Sequence, residues 1–451
     1  MNARTVSVDF NKKCGRIKPL HGLPSGPRVG GAHLPSDLSR EFSEIAVPSV
    51  RLHNVEYPYG KNQFVDIHCI FPDFTADPEL EESYNFSPTD AYLLAVKELG
   101  TEISFRLGES SDPFRRKLFA APPSDIAKYV SVCEHIIMHY NEGWAGGFKL
   151  NIRKLEIFGG ADDPRVFSGT QTEFFEIYRA ISNRIRERFP KIKIGGYGCG
   201  GFYGVNRISL DEEQKKYIPF MRDFLRYVTA EETASPLDFF SWYAYPASPE
   251  ELQIHAGYAR STLDEFGLRR TLSVVCGYNT ASFLSSALSE KSSYASELAS
   301  VLIAMQKGCV DSAYFSDSPL SPSHGISFLG GIRPSDCCPV YHTLAAFGEL
   351  YRLGTAYETL GDARSEIYTL AASNGSSSAV MVVTRSFSGN LELRTTLGSG
   401  SAKIRRIASR DQSSAFVSIA SGELPVSAGR VAFRADKDAV YLVEFSEISC
   451  E

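Results

Sequence analysis

The chain has 451 residues, of which 43% are hydrophobic and 22% charged, values near the globular average that exclude a disordered chain, a fibre or a coiled coil. Lys and Arg number 47 against 53 Asp and Glu, a net charge of −6 that argues against gripping nucleic acid by its phosphates and favours an uncharged or small ligand. No run approaches the roughly 20 apolar residues of a membrane span, and residues 1–13 hold no apolar signal core, which reads as a cytoplasmic protein without membrane contact.

In chain order, the first patterned stretch is 5–10, which alternates polar and apolar residues. From about 20 to 350, short β-branched or aromatic runs alternate with amphipathic stretches of ten to twenty residues. Strands are expected at 17–21, 49–53, 102–108, 153–158, 192–197, 238–243, 271–275 and 311–316. Helices are most legible at 87–99, 124–140, 172–188, 212–228, 249–266 and 292–307, with the clearest caps at Ser124-Asp125 and Ser248-Pro249. Eight strands alternating with helices predict an α/β fold, a (β/α)8 TIM barrel. Beyond about 353 the texture becomes short alternating runs at 379–384, 390–394, 403–407, 430–435 and 439–445, the pattern of an antiparallel β-sandwich. The expected domains are a barrel over 15–352 and a sandwich over 353–451 that also takes the strand at 5–10.

The nine cysteines, an odd number without paired spacing, read as reduced, mostly buried thiols; Cys337 and Cys338 are adjacent and form neither a zinc hook nor an easy disulfide. His135 and His139 lie four apart on one helix with no third ligand nearby, which favours packing over zinc. The glycines after strand five lack the Gly-Lys-Ser/Thr that a phosphate cradle needs. No metal or other cofactor is expected.

In such a barrel the reacting groups stand at the carboxyl ends of the strands. Those ends read Arg51-Leu52-His53, Arg106-Leu107-Gly108-Glu109, Trp242-Tyr243-Ala244-Tyr245-Pro246 and Tyr314-Phe315-Ser316-Asp317. Aromatic faces among charged groups suit a sugar, whose CH faces stack on rings while its hydroxyls need polar partners. Each also has a plainer reading: Arg51 as half of an internal ion pair, His53 as a satisfied core histidine, Trp242 and Tyr245 as packing residues. The expected lining of the cleft is His53, Glu109, Trp242, Tyr243, Tyr245, Tyr278 and Asp317, shaped by the long loop 54–83.

The runs Gly15-Arg16-Ile17-Lys18-Pro19-Leu20-His21-Gly22, Val50-Arg51-Leu52-His53 and Tyr84-Asn85-Phe86-Ser87 resemble the opening of glycoside hydrolase family 39. The likeness continues through Leu155-Glu156-Ile157-Phe158, Phe167-Ser168-Gly169-Thr170, Ile192-Lys193-Ile194-Gly195-Gly196 and Pro339-Val340-Tyr341-His342. The resemblance implies a retaining β-glycosidase of the xylosidase or iduronidase kind, in which two carboxyl groups about 5 Å apart act as nucleophile and acid/base. The family's proton donor ends strand four in a Trp-Glu-Ile-Trp-Asn-Glu-Pro-like run; here Leu155-Glu156-Ile157-Phe158-Gly159-Gly160-Ala161 puts Gly160 in the acid/base slot and Gly159 in that of the asparagine. The nucleophile slot that closes strand seven falls on Gly277, or one residue earlier on Cys276, and a histidine often found on strand six is Tyr243. Glu156 matches a deeper glutamate of the motif, expected to pair with Arg51 or Arg106.

With both slots empty, ordinary two-carboxylate hydrolysis is disfavoured, which leaves two readings. One is a non-catalytic or catalytically altered relative that binds a carbohydrate or glycoside in the inherited cleft, as a homo-oligomer or beside a partner enzyme. The other is an active glycosidase with relocated carboxylates: Glu109 after strand three, Asp162 and Asp163 after strand four, Asp317 after strand eight. Cys276 serves as a nucleophile only if a nearby cation depresses its pKa, and Asp162-Asp163-Pro164 has a simpler role as a turn.

Overall fold

The computed structural model describes residues 4–27, 37–52, 55–56, 63–108, 121–280, 292–316, 339–361, 366–407, 416–418 and 423–446. The chain opens with β1 (Arg4–Arg16) and then builds seven parallel strands: β2 (Ser49–Arg51), β3 (Glu102–Leu107), β4 (Lys154–Ile157), β5 (Lys193–Cys199), β6 (Phe239–Ala244), β7 (Leu272–Tyr278) and β8 (Ser312–Phe315). Strands β2 to β8 lie side by side in sequence order. The gap between β8 and β2 is closed by Gly22 and Leu23, which bridge in parallel to Tyr314 and Val50. Gly22 N–H donates to Ala313 O at 3.1 Å and Arg51 N–H to Leu23 O at 2.9 Å. The first barrel strand therefore pairs just beyond the expected 17–21. Its glycine is required by contact: a Cβ on residue 22 would stand 2.7 Å from the Tyr314 ring and 2.9 Å from Ser49 O.

Around this barrel lie α1 (Ser39–Ile45), α2 (Ser87–Glu98), α3 (Ile126–Asn141), α4 (Gln171–Arg188), α5 (Gln214–Thr229), α6 (Pro249–Glu265), α7 (Ser292–Lys307) and α8 (Pro339–Leu353). Asp125, rather than Ser124, caps α3 by accepting from Lys128 N–H at 3.0 Å, and Ser248 caps α6 through Glu251 N–H at 3.2 Å. Thr170 and Glu173 form a reciprocal capping box at the start of α4. α1, with seven residues, is too short to announce itself by periodicity.

The remaining strands are β9 (Thr355–Leu360), β10 (Ile367–Ser373), β11 (Ser378–Thr384), β12 (Gly389–Thr395), β13 (Gly400–Ile407), β14 (Phe416–Ser418), β15 (Leu424–Val426), β16 (Arg430–Ala435) and β17 (Ala439–Ser446). They run β14-β13-β17-β11-β10-β9-β1-β12-β16, with β15 on β13. β1 thus enters this sheet, antiparallel to β9 and parallel to β12. Val6 and Val8 share a core with Val380, Val382, Leu391, Leu393, Tyr441 and Val443. The opposite side chains, Ala379, Met381, Val383 and Leu442, join the large barrel core. Burial on both faces is why β11 reads as an unbroken apolar run rather than an alternating one. The molecule is a (β/α)8 barrel carrying a β-sandwich, as expected, whose sheet is antiparallel except where β1 pairs with β12. No helix among the described residues is long and apolar enough to cross a membrane.

Candidate functional site

Residues on strands that are not neighbours in the sheet meet only across the lumen, and that test identifies the inward set near the carboxyl end of the barrel. Glu156 on β4 accepts from Arg51 Nε on β2 and from Ser241 Oγ on β6, the latter at 2.6 Å. Gly198 N–H donates to Ser241 Oγ at 2.8 Å, so the network is anchored in β5 as well. Arg51 Nη1 reaches the Tyr243 hydroxyl at 3.4 Å, and its guanidinium lies 5.6 Å from the centre of that ring. Side-chain exposure of Arg51 and Glu156 is 2% each, so water contributes little to holding these charges. Burial opposes the Arg51 charge, but Glu156 beside it outweighs burial and holds the guanidinium well above its already high value. Arg106 is buried in the same mouth, and burial, with Arg51 as a like-charged neighbour, lowers its pKa. The sequence expectation of a buried Glu156–arginine pair is met by Arg51.

Three glycines define the shape of the mouth. An ideal Cβ on Gly159 would lie 2.7 Å from Arg51 Nη2 and 2.8 Å from Arg106 Nη1. A Cβ on Gly277 would lie 2.7 Å from two carbons of the Tyr243 ring and 3.4 Å from Ser316 Oγ. Gly160 has room, its nearest prospective neighbour being Val166 at 3.6 Å, but its φ of +101° is one that side-chain-bearing residues rarely adopt.

Tyr243 lies in the mouth over Gly277, and Tyr245 stands beside it with its hydroxyl 2.6 Å from Ser316 Oγ; both tyrosines are half-buried. Trp242 and Tyr278 do not line the cleft. Trp242 is fully buried against Phe202 and donates its indole N–H to Ser273 Oγ at 3.0 Å, while Tyr278 is fully buried against Phe315. Both belong to the wall between strands and helices. Strict alternation along 239–244 separates Tyr243 from Trp242 and also picks out Ser241, which the sequence reading passed over. His53, Glu109 and Asp317 lie outside the described residues.

Cys276 is buried in the lumen, and burial pushes its thiol up to about 12 despite the field of Arg51, the opposite of the depression that a nucleophilic role would require. Asp162 is buried against the end of β5: Gly200 N–H donates to Oδ2 at 2.9 Å and Oδ1 has no hydrogen-bond partner. Burial lifts this carboxyl up to about 7. Asp163 forms a turn instead, accepting from Arg165 N–H at 2.8 Å and pairing with the Arg165 guanidinium at 2.6 Å. His135 and His139 bond to Ser131 O at 2.9 Å and Trp144 O at 2.8 Å, and the described residues hold no group of three metal-binding side chains.

No protein-family model matches the chain, and no curated protein matches it in sequence. Solved structures do match its fold. A glucosidase from Croceicoccus marinus superposes with a TM-score of 0.78 at 22% identity, covering 100% of both chains. The family 39 glycoside hydrolase from Xanthomonas axonopodis pv. citri gives 0.69 at 14% identity over 99% of this chain and 97% of its own. A monomeric β-xylosidase from Caulobacter crescentus gives 0.68 at 14% over 98% and 99%. The fold is that of family 39 glycoside hydrolases, barrel and sandwich together.

Proposed function

We propose that this protein binds a carbohydrate or glycoside at the carboxyl end of its barrel without two-carboxylate retaining hydrolysis. The reading is carried by the Tyr243 ring, which takes the space a side chain on residue 277 would enter. The left-handed backbone at Gly160 supports it from the other slot, since a glutamate there would meet backbone strain rather than a prepared seat. Of the described carboxylates near the mouth, Glu156 is committed to Arg51 and Ser241 and is a positioning group rather than a free acid. Tyr243 and Tyr245 supply ring faces and hydroxyls of the kind a sugar meets.

Calorimetric titration against a saccharide panel, paired with an aryl-glycoside assay, tests this. Binding without turnover above the uncatalysed rate is expected; failure to bind any saccharide overturns the reading. The second reading, a glycosidase with relocated groups, draws support from Asp162, whose carboxyl, lifted to about 7, suits a proton donor at neutral pH. Turnover by the purified protein that disappears in Asp162→Asn would favour it.

A further inference from the structure

The carboxyl end of the barrel holds a buried guanidinium nitrogen, on Arg51, that no other group among the described residues satisfies. Arg51 uses Nε on Glu156 and Nη1 on Tyr243, but its Nη2 is buried with no hydrogen-bond partner. Nη2 and Arg106 Nη1 converge on the same place, since both stand within hydrogen-bond reach of where a Cβ on Gly159 would sit. Two like-charged groups brought together out of water repel, and a buried charged N–H without an acceptor forfeits its hydration. Among the described residues, the negative groups facing them are Glu156, already engaged by Arg51 Nε and Ser241, and Asp66, which acts on Arg106 and caps the turn Ile67–Ile70. Glycine at 159 leaves the point itself without a side chain, whereas any other residue would press on both guanidinium groups.

We infer that the ligand of this mouth is a saccharide bearing an oxyanion, a carboxylate, phosphate or sulfate, whose oxygens accept from Arg51 Nη2 and lie between the two guanidinium groups beside Gly159. Planar guanidinium donors match such a group in both geometry and charge. The inference rests on the saccharide reading and names the class of saccharide.

The test titrates the full chain with four probes: a glucuronate-terminated oligosaccharide, its neutral glucose-terminated counterpart, a hexose phosphate and inorganic phosphate. The acidic saccharides are expected to bind about tenfold or more tightly than the neutral one, the scale of one charge-assisted hydrogen bond. Which acidic probe binds best distinguishes a carboxylate from a phosphoryl ligand. Gly159→Asp is expected to abolish the preference, because the new carboxylate takes the ligand's place on Arg51. Arg51→Lys keeps a cation for Glu156 but lacks Nη2, and is expected to lose the preference as well. Equal affinity for acidic and neutral saccharides in wild type and both variants overturns the oxyanion and leaves the saccharide reading standing. Inorganic phosphate binding as tightly as the hexose phosphate overturns the saccharide part of the inference, and no binding of any saccharide overturns the proposed function itself.

Discussion

Glu156 and Asp162 stand on either side of the Gly159-Gly160 pair, both buried and both carboxylates, yet their surroundings differ. Glu156 accepts from a guanidinium and a hydroxyl that is itself held by a backbone amide. Asp162 accepts a single amide bond and keeps one oxygen without a partner. Burial opposes a carboxylate's charge, and the number and charge of its donors set how far that cost is offset. The lumen side of β4 supplies such donors because strands β2 and β6 face it across the barrel. The far side, toward β5 and α5, supplies rings and thiols, as Tyr197, Cys199 and Tyr217 do around Asp162.

The sharpest way to break this contrast is to remove one half of the compensated pair. Arg51→Met is expected to cost about 3–5 kcal/mol in urea unfolding, since Glu156 would remain buried without its cation, whereas Arg51→Met with Glu156→Met costs less than the single variant. An equal or greater cost for the double variant would mean that packing, not charge, sets the value of the pair.

Asp162 gives the next effect, and this one depends on pH. A carboxyl whose pKa rises from near 4 in the unfolded chain to about 7 when folded contributes stability that is fully present below about pH 4 and is lost as pH rises to about 7. The loss reaches at most about 4 kcal/mol for a buried group. Asp162→Asn is expected to flatten this dependence over pH 4–7, and unfolding curves of identical slope with pH in both proteins would refute it.

Gly277→Ala is expected to destabilise by about 1–3 kcal/mol, because its Cβ meets the Tyr243 ring, and Tyr243→Ala in the same chain should recover part of the loss. Thermal melts of the wild type and the two variants check the order. The smallest effect serves as a reference for Asp162: Ser248 also accepts one amide bond, from Glu251, but does so within reach of water. Ser248→Ala should cost about 1 kcal/mol and show no pH dependence over the same range.

The fold was legible because its signals are local and repeat. Eight apolar runs at barrel spacing, amphipathic helices with capping residues at Asp125 and Ser248, and the alternating texture of 379–445 all reflect burial periods carried by the chain itself. The Glu156–arginine pair was legible for a related reason, since a carboxylate and a guanidinium inside parallel strands have few other fates. Trp242 was misplaced because aromatic character at a strand end outweighed the two-residue alternation that decides which face a side chain takes, and Tyr278 because the pairing register of its strand shifts between Val275 and Gly277. Cys276 shows the limit from the other direction: its nearby guanidinium was a condition that sequence could state, but burial, a property of the closed barrel, dominates it.

The sequence alone therefore determined the order of strands and helices, the glycines at 159, 160 and 277, and the likeness to family 39. Tertiary structure decided what stands against those glycines: the Arg51 and Arg106 guanidinium groups at 159, a left-handed turn at 160, and the Tyr243 ring at 277. The physical reason is that periodicity and backbone preference act between near neighbours in the chain. The space left by a missing side chain is filled by residues 34 to 108 positions away, brought there only when the barrel closes.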